Sequence, residues 1–334
     1  MTTLTDRWLR PRSARTQFPP YDFGDPSIVG QAEARTSTVA RIYHKGQEQA
    51  WDGRAVMDEL IAKHGEIRFP ADKREAFERI GAVLLWGELA AWSISADLAL
   101  KLEDTPAKMA ASSQVFDEAR HFYVLREYMW RAGLRVDRLG GWSRRLLVEL
   151  LETDNLLYKV VGMQLLVEST AVVMFRAIAD AKIEPVLTDL LYYFERDEAR
   201  HVGLGVLYLP KLLAKLGPLE ATRLKMKQLK IVTLIGWGTH LKKRHFETLG
   251  IDNNDGFRRG VRLNREVLMG MRSQKGEDPP GVLVGDPRLD VINDWAIDLF
   301  FPRLGASVPA WQRAVINVVD ELSRVGDRAL RMAA

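Results

Sequence analysis

The chain has 334 residues, 47% of them hydrophobic and 28% charged, with a formal net charge of +4. These are the proportions of an ordinary globular protein long enough to bury a large core. There is no cysteine, which excludes disulfides, thiolate nucleophiles and iron–sulfur or zinc–thiolate sites, so any metal must be held by nitrogen and oxygen.

Residues 1–46 predict an extended N-terminal arm, because the first 35 are rich in Pro, Arg, Ser and Thr. They lack the apolar stretch of a signal peptide. From residue 47 the chain reads as helix after helix, and strand-like alternation is nearly absent, so the fold class is all-α. Four long core helices are expected at about 72–101, 106–132, 142–181 and 185–215. Asp104-Thr105-Pro106, Glu184-Pro185 and Gly217-Pro218 mark helix starts, and Gly133 and Gly140-Gly141 punctuate the middle. The four helices define a bundle over 47–216. Residues 217–334 predict a C-terminal helical extension with helices near 217–249, 255–274, 286–300 and 310–332 and a loop at 275–289.

The window 81–100, GAVLLWGELAAWSISADLAL, is the most membrane-like, but it carries Glu88 and Asp97 and reads as a buried helix. No membrane span is expected, and the expected location is cytoplasmic. Residues 211–246 hold nine Lys/Arg against Glu220 alone. This is either a solvated helix face or, over Lys225–Arg244, a docking surface for an acidic carrier protein or electron donor. Nucleic acid is not expected, since aromatic residues are not interleaved at stacking spacing. His240 and His245 fall in this segment and read as surface residues.

The pentad Asp-Glu-Ala-Arg-His occurs twice, at 117–121 and 197–201. Each copy has another glutamate 30 residues before its own, on an apolar segment, so Glu88, Glu118 and His121 map onto Glu168, Glu198 and His201 with one offset of 80. Glu and His at i and i+3 share a helix face. Duplicated Glu plus Glu-x-x-His is a complete ligand set for two metal ions inside a four-helix bundle. A glutamate in VGMQLLVESTAVVMF is costly to bury unless it meets a cation. Asp117 and Asp197 are placed to orient the histidines crosswise between the halves, with Arg120 and Arg200 bracing them. Helical spacing from the ligands nominates Trp92, Phe122, Gln164, Ala171, Val172 and Phe194 as a largely apolar pocket.

Over about residues 72–215 the chain resembles the ferritin-like di-iron carboxylate superfamily. In motif form it looks most like bacterial multicomponent monooxygenase hydroxylase subunits and soluble acyl-carrier-protein desaturases. The resemblance implies a ferritin-like four-helix bundle with additional C-terminal helices and two iron ions, or a mixed Mn/Fe pair. Glu88 and His121 would hold one ion, Glu168 and His201 the other, and Glu118 and Glu198 would bridge. It also implies O2 activation, oxidation of an acyl or aromatic substrate by hydroxylation, desaturation or N-oxidation, an electron-donor protein such as a reductase or ferredoxin, and a homodimer. Two further readings are a ferroxidase and a radical-generating subunit similar to the ribonucleotide reductase small subunit. The second is opposed by Leu125, which stands where that family typically carries its radical tyrosine; Tyr123 is out of register. Val172 and Ala171 replace threonines of the monooxygenases and desaturases, and Thr170 is expected to face elsewhere.

Overall fold

Two helical hairpins build the bundle, and the second helix of each is started by a cap that the sequence announces. In the computed structural model, which describes residues 38–273, 294–295, 297–302 and 307–332, we number the helices in chain order. α1 spans Thr38–Glu48, α2 Gly53–His64, α3 Arg74–Lys101 and α4 Thr105–Arg131. α5 spans Gly141–Glu152, α6 Leu156–Asp180 and α7 Pro185–Leu213. α8 spans Pro218–His240, α9 Lys243–Thr248, α10 Asn253–Ser273 and α11 Ala310–Met332. The described residues contain no strand.

The Asp104 carboxylate accepts from Ala107 N at 3.2 Å, with proline in the first turn, and turns α3 into α4. Glu184 Oε2 accepts from Leu187 N at 2.9 Å and turns α6 into α7. Both caps satisfy amide N–H groups that a helix start leaves without intrahelical partners.

Three boundaries differ from expectation. The helix expected over 142–181 is two helices, because Asn155 Oδ1 accepts from Tyr158 N at 3.0 Å and starts α6 afresh. Short polar side chains bond to nearby backbone and so favour ends over interiors. α5 is thereby released to pack against α8 and α11. The extension expected as one helix over 217–249 is interrupted between His240 and Lys243. At the N-terminal side, helix begins at Thr38, inside the expected arm, because Val39 and Ala40 are buried where α1 packs on α4 and α7. The rest of that arm and the loop expected at 275–289 lie outside the described residues.

The two cores explain where charge can sit. One is built on Phe77, Ile80, Tyr128, Phe175, Leu187 and Phe194. The other is built on Ile94, Leu98, Ala111, Met163, Leu165 and Leu209. On each bundle helix one core is left behind before the other begins, and the gaps hold Glu88, Glu118, Glu168 and Glu198. The helices Ala71–Lys101 and Leu156–Asp180 are long and apolar enough to cross a membrane. Here their apolar side chains feed these cores instead.

α7 approaches α6 closely at Gly205, where an added Cβ would lie 2.6 Å from Gln164 Cβ. Neither atom can rotate away, so the helices must separate. Gly205→Ala is expected to destabilise the protein by about 1–3 kcal/mol in denaturant titration. An unchanged midpoint would show that α6 yields without cost.

Candidate dinuclear metal centre

The six duplicated residues meet in one buried cluster midway along the bundle. Ligand atoms of Glu88, Glu118, His121 and Glu198 lie within 4.8 Å of one another, as do those of Glu118, Glu168, Glu198 and His201. Glu118 and Glu198 belong to both sets. His121 Nδ1 is 3.3 Å from Glu88 Oε2 and 3.1 Å from Glu198 Oε1. His201 Nδ1 is 3.1 Å from Glu118 Oε1 and 2.9 Å from Glu198 Oε2.

The opposite ring nitrogens reach across the halves. His121 Nε2 is 3.2 Å from Asp197 Oδ2, and His201 Nε2 is 3.3 Å from Asp117 Oδ2. Arg120 pairs with both aspartates, at 2.8 Å to Asp197, and Arg200 does the same at 2.9 Å to Asp117 and 2.8 Å to Asp197. The aspartates thus fix each imidazole with Nδ1 toward the glutamates, the orientation a metal-binding histidine needs.

Two features fit this cluster to a pair of cations. Glu88 Oε2, Glu118 Oε2 and His121 Nδ1 are buried without a hydrogen-bond partner, and all three point into it. With neutral imidazoles, the four glutamates, Asp117 and Asp197 against Arg120 and Arg200 leave an excess of four negative charges, the charge of two divalent ions. Without such ions burial raises the Glu88 carboxyl to about 8, against the opposing pull of His121. Glu168 is pushed well up by burial and by the charges of Glu198 and Glu118. Burial also disfavours the charged forms of His121 and His201, but hydrogen bonds and charge from the surrounding carboxylates prevail and raise both. The cluster is suited to a dinuclear centre.

The approach to Glu168 is unusual. Residues Val160–Val167 form a π-helical stretch, and the Glu168 N–H donates to Met163 O, five residues back. Single π segments often mark functional sites. Here the wider turn breaks the symmetry of the duplicated halves, since Glu88 sits on regular helix.

Gln114 contacts the cluster directly, and Gln164 and Trp51 reach it through Gln114 and Asp197. Gln114, one turn before Glu118, donates to Glu118 Oε1 at 3.1 Å and Glu168 Oε1 at 2.8 Å. Gln164 donates in turn to Gln114. Trp51 Nε1 donates to Asp197 Oδ2 at 2.7 Å from the linker between α1 and α2. Gln114 was readable from its i−4 spacing; Trp51 lies outside the repeated segments altogether.

The pocket lies elsewhere than expected. A cavity of about 110 Å³ has Glu118 and Glu198 as its floor. Its side walls are α3 (Ile80, Leu84, Gly87, Glu88) and α6 (Met163, Val167, Glu168, Thr170, Ala171, Met174), and helices α5, α8 and α9 roof it. Of the nominated residues only Ala171 lines it. Gln164 turns its amide nitrogen to Gln114, and Phe194 stacks on His121 with centroids 4.2 Å apart. Trp92 packs on Phe122 at 6.2 Å and is 38% exposed. Val172 faces a separate surface hollow beside Arg176. Thr170, expected to face elsewhere, lines the cavity, because the roof covers that stripe of α6. His240 is likewise buried, not on the surface, in contact with Asp320 of α11.

No protein-family model matches the sequence, and no curated protein matches it. Solved structures do. A Synechococcus protein with aldehyde deformylating oxidase activity superposes with a TM-score of 0.55, at 19% identity, over 67% of this chain and 98% of its own. Two variants of an R2-like ligand-binding oxidase with a reconstituted Mn/Fe cofactor superpose at 0.55, with 15% and 14% identity, over 74% of this chain. They are covered over 97% and 98% of their own lengths. The fold is ferritin-like. The superposition spans nearly all of each neighbour and between two thirds and three quarters of this chain.

Proposed function

We propose that the protein is an O2-dependent oxidoreductase with a carboxylate-bridged dinuclear centre, di-iron or Mn/Fe, that oxidises a largely apolar organic substrate. One observation carries this reading: two ligand sets share Glu118 and Glu198, and an apolar cavity ends on those same carboxylates. Glu88 and His121 would hold one ion and Glu168 and His201 the other. When bound, such a pair supplies two-electron chemistry with O2. The chain's own contribution is placement. Asp117 and Asp197 hold the imidazoles in register, Arg120 and Arg200 balance the aspartates, and the cavity walls keep water away from the glutamates.

The Mn/Fe cofactor and the aldehyde deformylating activity of the structural neighbours support the reading. A ferroxidase needs no apolar cavity at its metal site. A tyrosyl radical is disfavoured, because Leu125 lies in the apolar core, Tyr123 packs toward Gly53 and Tyr128 is bonded to Glu184. Turnover requires an external electron donor. The basic run is partly neutralised within the protein, since Lys227 and Lys230 both pair with Glu149.

Reconstitution with ferrous iron, or manganese and iron together, is expected to give two ions per chain. Oxygen consumption with a reductase should then rise on adding an apolar substrate. Uptake of fewer than two ions, or release of the iron as ferric mineral on exposure to O2, would sink the proposal.

A further inference from the structure

The last helix turns its less apolar stripe to the protein and leaves its more apolar one uncovered. Toward the body of the protein α11 presents Gln312, Ile316, Val319, Ser323 and Gly326, all buried or half-buried. Polar contacts hold it in that rotation. Trp142 of α5 donates from Nε1 to the Ser323 carbonyl at 2.9 Å and from its backbone N–H to Asp327 Oδ1 at 3.1 Å. Asp320 meets His240 of α8. Gly326 lies so close to α5 that an added Cβ would be 2.6 Å from the Trp142 ring.

One position round from that stripe, Val315, Val318, Leu322, Val325, Ala329 and Met332 are all exposed, Leu322 by 65% and Val318 by 59%. Trp311 adds one more exposed step at the start. From Trp311 the steps alternate four and three residues throughout. That is a heptad repeat sustained over three heptads, the pattern of a coiled-coil seam. A straight helix standing alone has no use for it, since the stripe drifts about 20° per heptad. The 23 residues of α11 run about 35 Å, long enough to pair along the whole row.

We propose that α11 is a pairing helix, and that its uncovered stripe packs antiparallel on the same stripe of a second copy of this chain. Charge selects this occupant and this direction. With Val315, Leu322 and Ala329 as a and Val318, Val325 and Met332 as d, Glu321 and Arg328 are successive g residues. A two-fold axis that sets Leu322 on the partner's Val325 also sets Val318 on the partner's Ala329 and Val315 on the partner's Met332. In that register Glu321 lies beside the partner's Arg328, and Arg328 beside the partner's Glu321, so the surface is complementary to itself and the assembly closes at two. A parallel pair would set Glu321 against the partner's Gly326 and match neither charge. A lipid surface calls for a wider apolar face, richer in Trp, Phe and Leu than in valine. Residues 1–37 and 274–293 are interrupted by prolines and carry no apolar heptad row of their own. Because α5 lies between α11 and the cavity, pairing also braces the cavity roof from outside.

A seam of this length is at the small end of specific interfaces, about 1,200 Å² in all, so association in roughly the micromolar range is expected. Sedimentation of the full chain should give twice its mass of 37.9 kDa at high concentration and the single mass on dilution. Val318→Asp with Leu322→Asp should abolish the dimer and keep the helix content, since both side chains are already exposed. Asn317→Asp, exposed but off the seam, should leave it intact. Glu321→Arg alone should weaken association by about tenfold, as two exposed ion pairs become like-charge pairs, and adding Arg328→Glu should restore it. The chain has no cysteine, so disulfide trapping reads the direction. Val318→Cys mixed with Ala329→Cys should cross-link, and neither should do so alone. The inference is overturned if the protein is monomeric at about 100 µM, or if the dimer survives the two aspartates and so uses another surface. It is also overturned if Val318→Cys cross-links by itself, which means a parallel pair, or if Arg328→Glu fails to rescue Glu321→Arg. Monomeric protein that floats with phosphatidylcholine–phosphatidylglycerol vesicles, and loses this with the two aspartates, would assign the stripe to a lipid surface instead.

Discussion

Glu168→Gln is expected to be nearly neutral for the metal-free protein and severe for the metal-loaded one. Without metal, burial and the charges of Glu198 and Glu118 hold the Glu168 proton in place, and an amide is close in shape to a protonated carboxyl. The change in stability near neutral pH should therefore be within about 1 kcal/mol. With metal, one of four glutamate charges is gone and the balance of two divalent ions is broken. The affinity of at least one ion should fall by about 100-fold or more, given that changes merely around metal ligands cost 10–100-fold, and substrate oxidation should vanish with it. A structural ion-pair network would show the reverse, with a large loss in the metal-free protein and no effect of metal.

The same physics gives a pH dependence with a definite sign. Glu88 is raised from 4.5 to about 8 in the metal-free protein. The stability gained by burying its neutral form is fully present below the unfolded value and is lost as pH rises through about 8. The metal-free protein should thus melt at lower temperature at about pH 9 than at about pH 6, and two bound cations should remove that slope. Melting temperatures across this window, with and without metal, decide it. A metal-free protein that gains stability toward pH 9 would contradict the placement of Glu88 among uncompensated carboxylates.

The clustering of Glu88, Glu118, His121, Glu168, Glu198 and His201 was legible because duplication turns a weak signal into a strong one. One Glu-x-x-His is an ordinary helix face, but two at a constant offset with matching glutamates are not. Helix starts were legible for the same local reason, as caps act within three residues of Asp104 and Glu184. The cavity was not. Periodicity along α6 shows which residues share a stripe, but the partner that covers a stripe comes from α8 and α9, far along the chain. Thr170 therefore lines the cavity against expectation, and Trp92 does not line it. The π stretch before Glu168 was missed because Val160–Val167 is one apolar run with nothing to set it apart from ordinary helix, whereas the restart of α6 at Asn155 was marked by the polar run Glu152-Thr153-Asp154-Asn155 and was passed over. Trp51 was missed because its hydrogen-bond partner, Asp197, is 146 residues away.

Asp197→Ala should be the most destabilising single substitution around the cluster, and more so than Asp117→Ala. Both aspartates stand between the two arginines and one histidine, but Asp197 also receives Trp51 Nε1. Burial by itself would raise its carboxyl; the hydrogen bond from His121, the charges of His121 and Arg200 and the Trp51 donor hold it far below the usual range instead. Removing it leaves Arg120 and Arg200, which are 4% and 6% exposed, sharing one carboxylate in the core. Breaking a buried charge network from one side costs about 3–5 kcal/mol, and the freed His121 ring should lower metal affinity by about 10- to 100-fold. Trp51→Phe separates the two contributions. It removes the N–H donor but keeps a ring near the Arg120 guanidinium, which lies 4.6 Å from the indole centroid. Its cost should be about 1.5–3 kcal/mol, that of one hydrogen bond to a charged group. Combining Trp51→Phe with Asp197→Ala should then cost little more than Asp197→Ala alone, because the donor has lost its acceptor in both. Full additivity in denaturant titration would mean that Trp51 stabilises the fold through packing and that its bond to Asp197 contributes nothing to holding His121.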